Sequence, residues 1–144
     1  MKKFIILIIS ISLIIIAINF MDFKEKEISN INIKNFNLEY ENFNKESLNG
    51  LEVATAINKA VSHNQGLEMP INEKGFYILD DEESVEIYVI MNTTETTYRM
   101  ESIYGLGMDK FIKTFGTAEF KCTDVKYHEK TGRIASITFE AVEY

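Results

Sequence analysis

The sequence predicts an α+β fold, an N-terminal transmembrane helix followed by helices packed on an antiparallel sheet of about five strands, and three observations carry that reading. Phe4 to Met21 is an apolar run interrupted only by Ser10, Ser12 and Asn19. Between Asn49 and Gly66, apolar residues recur at the spacing of one helix face. From Gly75 onward the period changes to alternation, broken by a single short helical stretch.

The apolar run follows Met1-Lys2-Lys3. At 1.5 Å per residue it rises about 27 Å, close to the thickness of a bilayer's hydrocarbon core. The flank beyond it mixes Lys24 and Lys26 with Asp22, Glu25 and Glu27, so the bias of positive charge places the N-terminus in the cytoplasm and the rest outside. A cleaved signal peptide shares this positive start and apolar centre. The run lacks a clear small-x-small cleavage site, however, since Ala17 is followed by Ile18 and the large polar Asn19. The expected organisation is an anchor over residues 1–21, a stalk or linker over 22–32 and an extracytoplasmic α+β domain over 33–144, with membrane contact through residues 4–21.

Within the domain, Ile33, Phe36, Tyr40 and Phe43 fall at helical spacing. Asn49 has the character of a helix cap, with Glu52 placed to complete a capping box. Val53, Ala54, Ile57, Ala60 and Val61 then form one apolar face, and the stretch from His63 to Gly66 reads as the stop. Gly75 to Leu79 and Ser84 to Met91, joined by Asp80-Asp81-Glu82-Glu83, read as a hairpin with Val85, Ile87 and Val89 on one face. After a turn near Asn92-Thr93, a threonine-rich strand is expected from Glu95 to Ile103. Met108, Phe111, Ile112 and Phe115 fit a short helix ended by Gly116. Two last strands, about Thr117 to Tyr127 and Arg133 to Val142, flank a loop with Gly132 where a hairpin calls for positive φ.

Composition narrows the function classes. Of 144 residues 46% are hydrophobic and 12% aromatic, which describes a folded chain. The net charge is −7, and −9 once Lys2 and Lys3 are set aside, so a phosphate backbone would be repelled and nucleic acid is not an expected partner. Cys122 is the single cysteine, which excludes an intrachain disulfide and a multi-cysteine zinc site.

No catalytic, cofactor-binding or metal-ligating set emerges. His63 and His128, the only histidines, lack metal-ligand spacing. A Cys122–His128 dyad fails on strand rise, which separates them by about 20 Å. The serines carry no nucleophile-elbow or SxxK pattern. Gly105-Leu106-Gly107 lacks the further glycine and the lysine of a phosphate loop and reads as a turn. The acidic run Asp80 to Glu83 has calcium-type oxygens without the spacing of an EF-hand, and reads as a solvated turn. Glu101 with Arg99 and Tyr98 could form a polar pocket near Gly105, and alternation reads Arg99 and Glu101 as a pair on one strand face. Tyrosines 77, 88, 98, 104, 127 and 144 are spread over the sheet region, as face fillers or as a binding face.

Asn49-Gly50-x-Glu52-Val53 with Ile57-Asn58-Lys59-Ala60, then Phe120-Lys121-Cys122, Tyr127-His128 and Gly132-Arg133-Ile134, resemble a group of short single-anchor extracytoplasmic proteins of low-GC Gram-positive, Clostridia-like bacteria. That resemblance implies a location, single-pass in the cell membrane, and no activity. The layout of an apolar N-terminal helix leading into a small sheet domain is also similar to type IV pilins and pseudopilins. Those families have a glycine before the processing site and a glutamate at the fifth mature position. Here Lys3 precedes Phe4, and Ile8 takes the fifth place of a chain begun at Phe4. The expectation is a membrane-anchored binding or structural module of a bacterial envelope rather than an enzyme, with an envelope protein or its own copies as partner. A pilin-like assembly subunit is the alternative.

Overall fold

The computed structural model describes the backbone of residues 2–92 and 96–142, with side chains from Ile9 onward. Parts of the expected Asn92-Thr93 turn, the expected strand start at Glu95, Tyr144, and the side chains of Phe4 to Ile8 lie outside the described residues. Helix α1 runs Lys2–Glu41, so the expected stalk at 22–32 is helical. The chain divides into two compact units, Met1–Asn35 and Phe36–Tyr144. Among the described residues no helix is long and apolar enough to cross a membrane. The run expected to do so starts at Phe4, ahead of the described side chains.

In the second unit, β1 (Leu48–Asn49) leads directly into α2 (Gly50–Gly66). The start of α2 is fixed by the capping box. Asn49 Oδ1 accepts from the Glu52 N–H at 3.0 Å, and the Glu52 carboxylate accepts from the Asn49 N–H at 2.8 Å, so two otherwise orphaned donors are satisfied. The predicted apolar face of α2 is buried, together with Ala56 and Asn64. Strands β2 (Glu86–Met91) and β3 (Thr96–Arg99) precede the short helices α3 (Met100–Leu106) and α4 (Met108–Phe115). Strands β4 (Glu119–Tyr127) and β5 (Ile134–Ala141) complete the unit.

The α+β class and the five strands are present, but the sheet is mixed rather than antiparallel. Its order is β1-β4-β5-β2-β3, and β5 lies parallel to β2 in the register Ile87↔Ile137 and Val89↔Phe139. The other three pairings are antiparallel. The cause is the insertion of β5 between β4 and β2, which fixes its direction by its hairpin with β4. A second correction concerns Gly75 to Leu79, which forms no ladder strand and makes only a bridge between Ile71 and Tyr77. The fifth strand is instead β1, paired at Leu48↔Phe120. A third lies at Met100, where the expected long strand stops and α3 begins.

Alternation along β2 and β5 puts Ile87, Val89, Ile137 and Phe139 on one side of the sheet, all fully buried in one cluster with Val53, Ala56, Ile57 and Ala60 of α2. The last turn of α1 joins the same core through Tyr40, and the turn after it through Phe43. Asn37 secures them, donating from Nδ2 to Gly132 O and accepting from the Ile134 N–H, both at 2.9 Å. Tyr40 is 1% exposed and its hydroxyl has no hydrogen-bond partner among the described residues. Burial, with the charge of Glu39 beside it, raises the phenol's pKa well above the ordinary range.

Gly50 is required by packing. A Cβ there would lie 1.8 Å from Phe115 O, backbone that cannot rotate away. Gly50→Ala is therefore expected to lower stability by about 1 to 3 kcal/mol, read as a lowered urea midpoint for the full chain in detergent. An unchanged midpoint would show that α4 yields without cost.

Candidate functional site

The residues singled out from sequence come to rest in two places, and the first is the acidic turn. Asp80 Oδ1 accepts from the N–H groups of Glu82, Glu83 and Ser84 at 3.1, 2.8 and 2.8 Å. Burial opposes its charge, but these three donors prevail and hold the carboxyl down at about 2. Ser84 closes the turn, its Oγ accepting from the Asp80 N–H at 3.1 Å.

With the turn so shaped, the carbonyls of two consecutive residues receive the two histidines. His63 Nε2 lies 2.9 Å from Glu83 O, and His128 Nε2 lies 2.7 Å from Ser84 O. A carbonyl only accepts, so each ring presents an N–H there. One residue further on, Asn64, fully buried, donates from Nδ2 to Val85 O and accepts from the Val85 N–H, at 2.8 and 2.9 Å. Its amide satisfies both backbone groups as a neighbouring strand would. Arg133 reaches Glu83 at 2.7 Å, and Lys130 reaches Asp81 and Glu82 at 2.6 and 3.3 Å. All four carboxylates of the expected solvated turn thus have partners within the chain.

Cys122 takes none of these partners. It lies half-buried on β4, its Sγ 3.8 Å from Asp124 O, and burial pushes the thiol's pKa up, away from the thiolate a nucleophile needs. Of the turn expected at Gly105-Leu106-Gly107, only Gly107, at φ 102°, joins α3 to α4, while Gly105 and Leu106 are the last residues of α3. Among the described residues no group of three or more His, Cys, Asp or Glu is placed to hold a metal ion.

The second place is a buried acid pair. Arg99 does meet Glu101, but from opposite sides of the β3–α3 junction rather than along one strand face. Its Nη2 lies 3.0 Å from Glu101 Oε1 and 2.6 Å from Glu86 Oε2, while its Nε reaches Glu86 Oε1 at 3.2 Å. Glu86 is 1% exposed, and burial, reinforced by the charge of Glu101, raises its carboxyl to about 7 against the pull of Arg99. Phe76 stacks its ring 4.7 Å from the guanidinium, and the Tyr77 N–H donates to Glu101 Oε1 at 2.9 Å. Sequence reasoning found Arg99 and Glu101 and missed Glu86, whose one visible signal was an acid beside the alternating Val85 and Ile87.

Two cavities flank these places. One, about 490 Å³, opens between the acidic turn, Glu86 and Tyr88 of β2, and the β4–β5 hairpin with Lys126, Tyr127 and His128. The other, about 300 Å³, is apolar and lies between β2–β3 and the two short helices, lined by Met91, Tyr98, Ile103, Leu106, Phe111 and Phe115. The tyrosines divide accordingly. Tyr88 and Tyr127 share the polar cavity, Tyr98 lines the apolar one, and Tyr77 is buried over Glu101.

Replacing Asp80 by Ala removes the acceptor of three N–H groups and is expected to cost about 1 kcal/mol or more, by analogy with the loss of a helix cap. Because folding depresses this carboxyl, its stabilisation is present above the ordinary carboxylate range and is lost as pH falls through about 2. Thermal unfolding from pH 2 to pH 7 should show the wild type losing this increment at the acid end and Asp80→Ala lacking it throughout. Parallel curves would refute the assignment. No family model, curated protein or solved structure matches the chain.

Proposed function

We propose that the chain is a membrane-anchored module of a bacterial envelope, which holds its α+β domain outside the cytoplasm for a binding or structural role rather than for catalysis. The observation that carries this reading is the surface of α1. From Ile9 to Phe23 the large apolar side chains Ile9, Ile11, Leu13, Ile14, Ile15, Ile16, Ile18, Phe20, Met21 and Phe23 are each 49–65% exposed. They occupy every side of the helix, where a helix packed on a core shows one apolar stripe. Lipid is the solvent in which such a surface costs nothing, and in sequence the run extends back to Phe4 behind Lys2 and Lys3.

Against catalysis stand the engagements of the titratable groups. Both histidines are committed to backbone carbonyls, the lone thiol's pKa is raised, and both acids of the pair are engaged by Arg99. A partner protein of the envelope is favoured by the two cavities and by the polar outer sheet face with its Lys121–Glu140 cross-strand pair.

Self-assembly in the manner of a pilin is a second reading, favoured by one observation: α1 is unbroken from Lys2 to Glu41 and contributes Tyr40 to the domain core. It predicts ladders of crosslinked copies that depend on residues 4–21, whereas a partner-binding module gives none.

The anchor is tested by alkaline carbonate extraction of membranes from cells making the full chain. The wild type should stay in the pellet, and Leu13→Lys, at a cost of about 3 kcal/mol for a cation near mid-bilayer, should be released in measurably larger fraction. Wild-type protein extracted without detergent would end the proposal.

A further inference from the structure

The acid pair has a charge imbalance that neither its ion pairs nor the proposed anchoring explains. Glu86 is 1% exposed and Glu101 7%, and both lean on the single guanidinium of Arg99. Glu101 Oε1 is satisfied twice over, by Arg99 and by the Tyr77 N–H, while Glu101 Oε2 is buried with no hydrogen-bond partner among the described residues. Two buried carboxylates against one cation leave an excess negative charge in a poorly solvated place, which is costly. A hydrogen bond between the Glu86 and Glu101 carboxyls is in reach, and it needs a proton to exist.

The loop above the pair is a self-contained turn. Asn72 Oδ1 accepts from the Lys74 and Phe76 N–H groups, the Asn72 N–H donates to Phe76 O, and the Ile78 N–H donates to Pro70 O. Over the pair it is held by Phe76 on the Arg99 guanidinium and by the Tyr77 N–H on Glu101. The Tyr77 hydroxyl has a second tie, to the Gln65 side chain.

We propose that Glu86 keeps a proton that it donates to Glu101, and that this proton latches the loop of residues 70–78 onto the sheet. With the proton in place Glu86 donates to Glu101, and a single negative charge faces Arg99. When the proton leaves to solvent, two carboxylates repel across one guanidinium. The relief open to them is for Glu101, in the first turn of α3, to move toward water and give up the Tyr77 N–H.

The groups facing the pair are Arg99 from β3, Tyr88 from β2, and Tyr77 beside Glu101, with Tyr104 next to Tyr77. Across the polar cavity stand Asp80 and Asp81, Lys126, His128, Glu129 and Lys130. Arg99 is the one cation among them in contact with either carboxyl.

The direction of the effect follows from Glu86, whose carboxyl is raised from 4.5 to about 7, first by burial. The folded chain holds a proton in that window that the unfolded chain has already lost. Stability and the latch are therefore full below the ordinary glutamate range, weaken as pH rises, and level off above about 7.

The test is amide hydrogen exchange of Tyr77 in the full chain in detergent from pH 5 to 8.5, with rates divided by the intrinsic exchange rate at each pH. Wild-type protection is expected to fall at least about tenfold across the window, the change a pKa displaced by one unit or more produces. In Glu86→Gln the amide donates to Glu101 permanently, and protection should stay flat. Glu101→Gln, which leaves one carboxylate for one guanidinium, should be flat as well and serves if the first variant fails to fold. No fall in the wild type, or the same fall in the variants, overturns the proposal.

Discussion

The carboxylate of Asp80, accepting three consecutive N–H groups, is the constraint on which the rest of the domain's polar architecture depends. It turns the backbone so that the carbonyls of Glu83 and Ser84 are available to His63 and His128. The chain then enters β2 with Val85 already satisfied by Asn64. Through those contacts the end of α2 and the β4–β5 hairpin are tied to one turn. The end of α1 is drawn to the same point, for Phe36 lies between His63, at 4.9 Å, and Arg133, at 5.3 Å, and Arg133 pairs with Glu83. Exposed ion pairs such as those of Lys130 add little by themselves. What fixes the assembly is hydrogen bonding from side chains to backbone groups, and at the buried Asn64 and His128 its loss strands a polar group.

Local signals were legible in the sequence. The capping box needs only Asn49 and Glu52 three apart, and it is present as read. The α2 face, α4 and the last hairpin follow from periodicity and from glycine positions, including Gly132 at φ 71°. What failed was set at a distance. Gly75 to Leu79 alternates like a strand, but its Tyr77 N–H goes to Glu101 rather than to a ladder. Leu48–Asn49 is a strand only because Phe120 and Glu119 lie beside it. The parallel neighbour of β2 left no mark either, since alternation reports which face a residue takes and not which strand it sits next to.

The candidate site was legible in half. Arg99 and Glu101 stand two apart and invite pairing, yet the pattern that suggested it assumed a strand running through Met100, where the chain instead turns into α3. Glu86 was hidden because a charged residue in an alternating strand reads as facing water. Arg99, arriving from β3, and Glu101, from the first turn of α3, meet at that position, which is 1% exposed. Burial of a charge is a property of what covers it, and the cover comes from another part of the chain.

The place of β5 has a consequence for how the domain comes into being. Its register with β2 joins residues fifty positions apart, Glu86 to Ser136. Until β5 arrives, β4 and β2 have no contact through the sheet, and the inner faces of Ile87 and Val89 lack Ile137 and Phe139. Non-local pairing of this kind is slow, because chain entropy is lost before contacts compensate. A chain threaded through a membrane from its first residues would emerge with its core unfinished and its β2 edge open for as long as the last strand is in transit. The acidic charge of the chain, −9 without Lys2 and Lys3, would keep such unfinished copies apart by mutual repulsion during that interval.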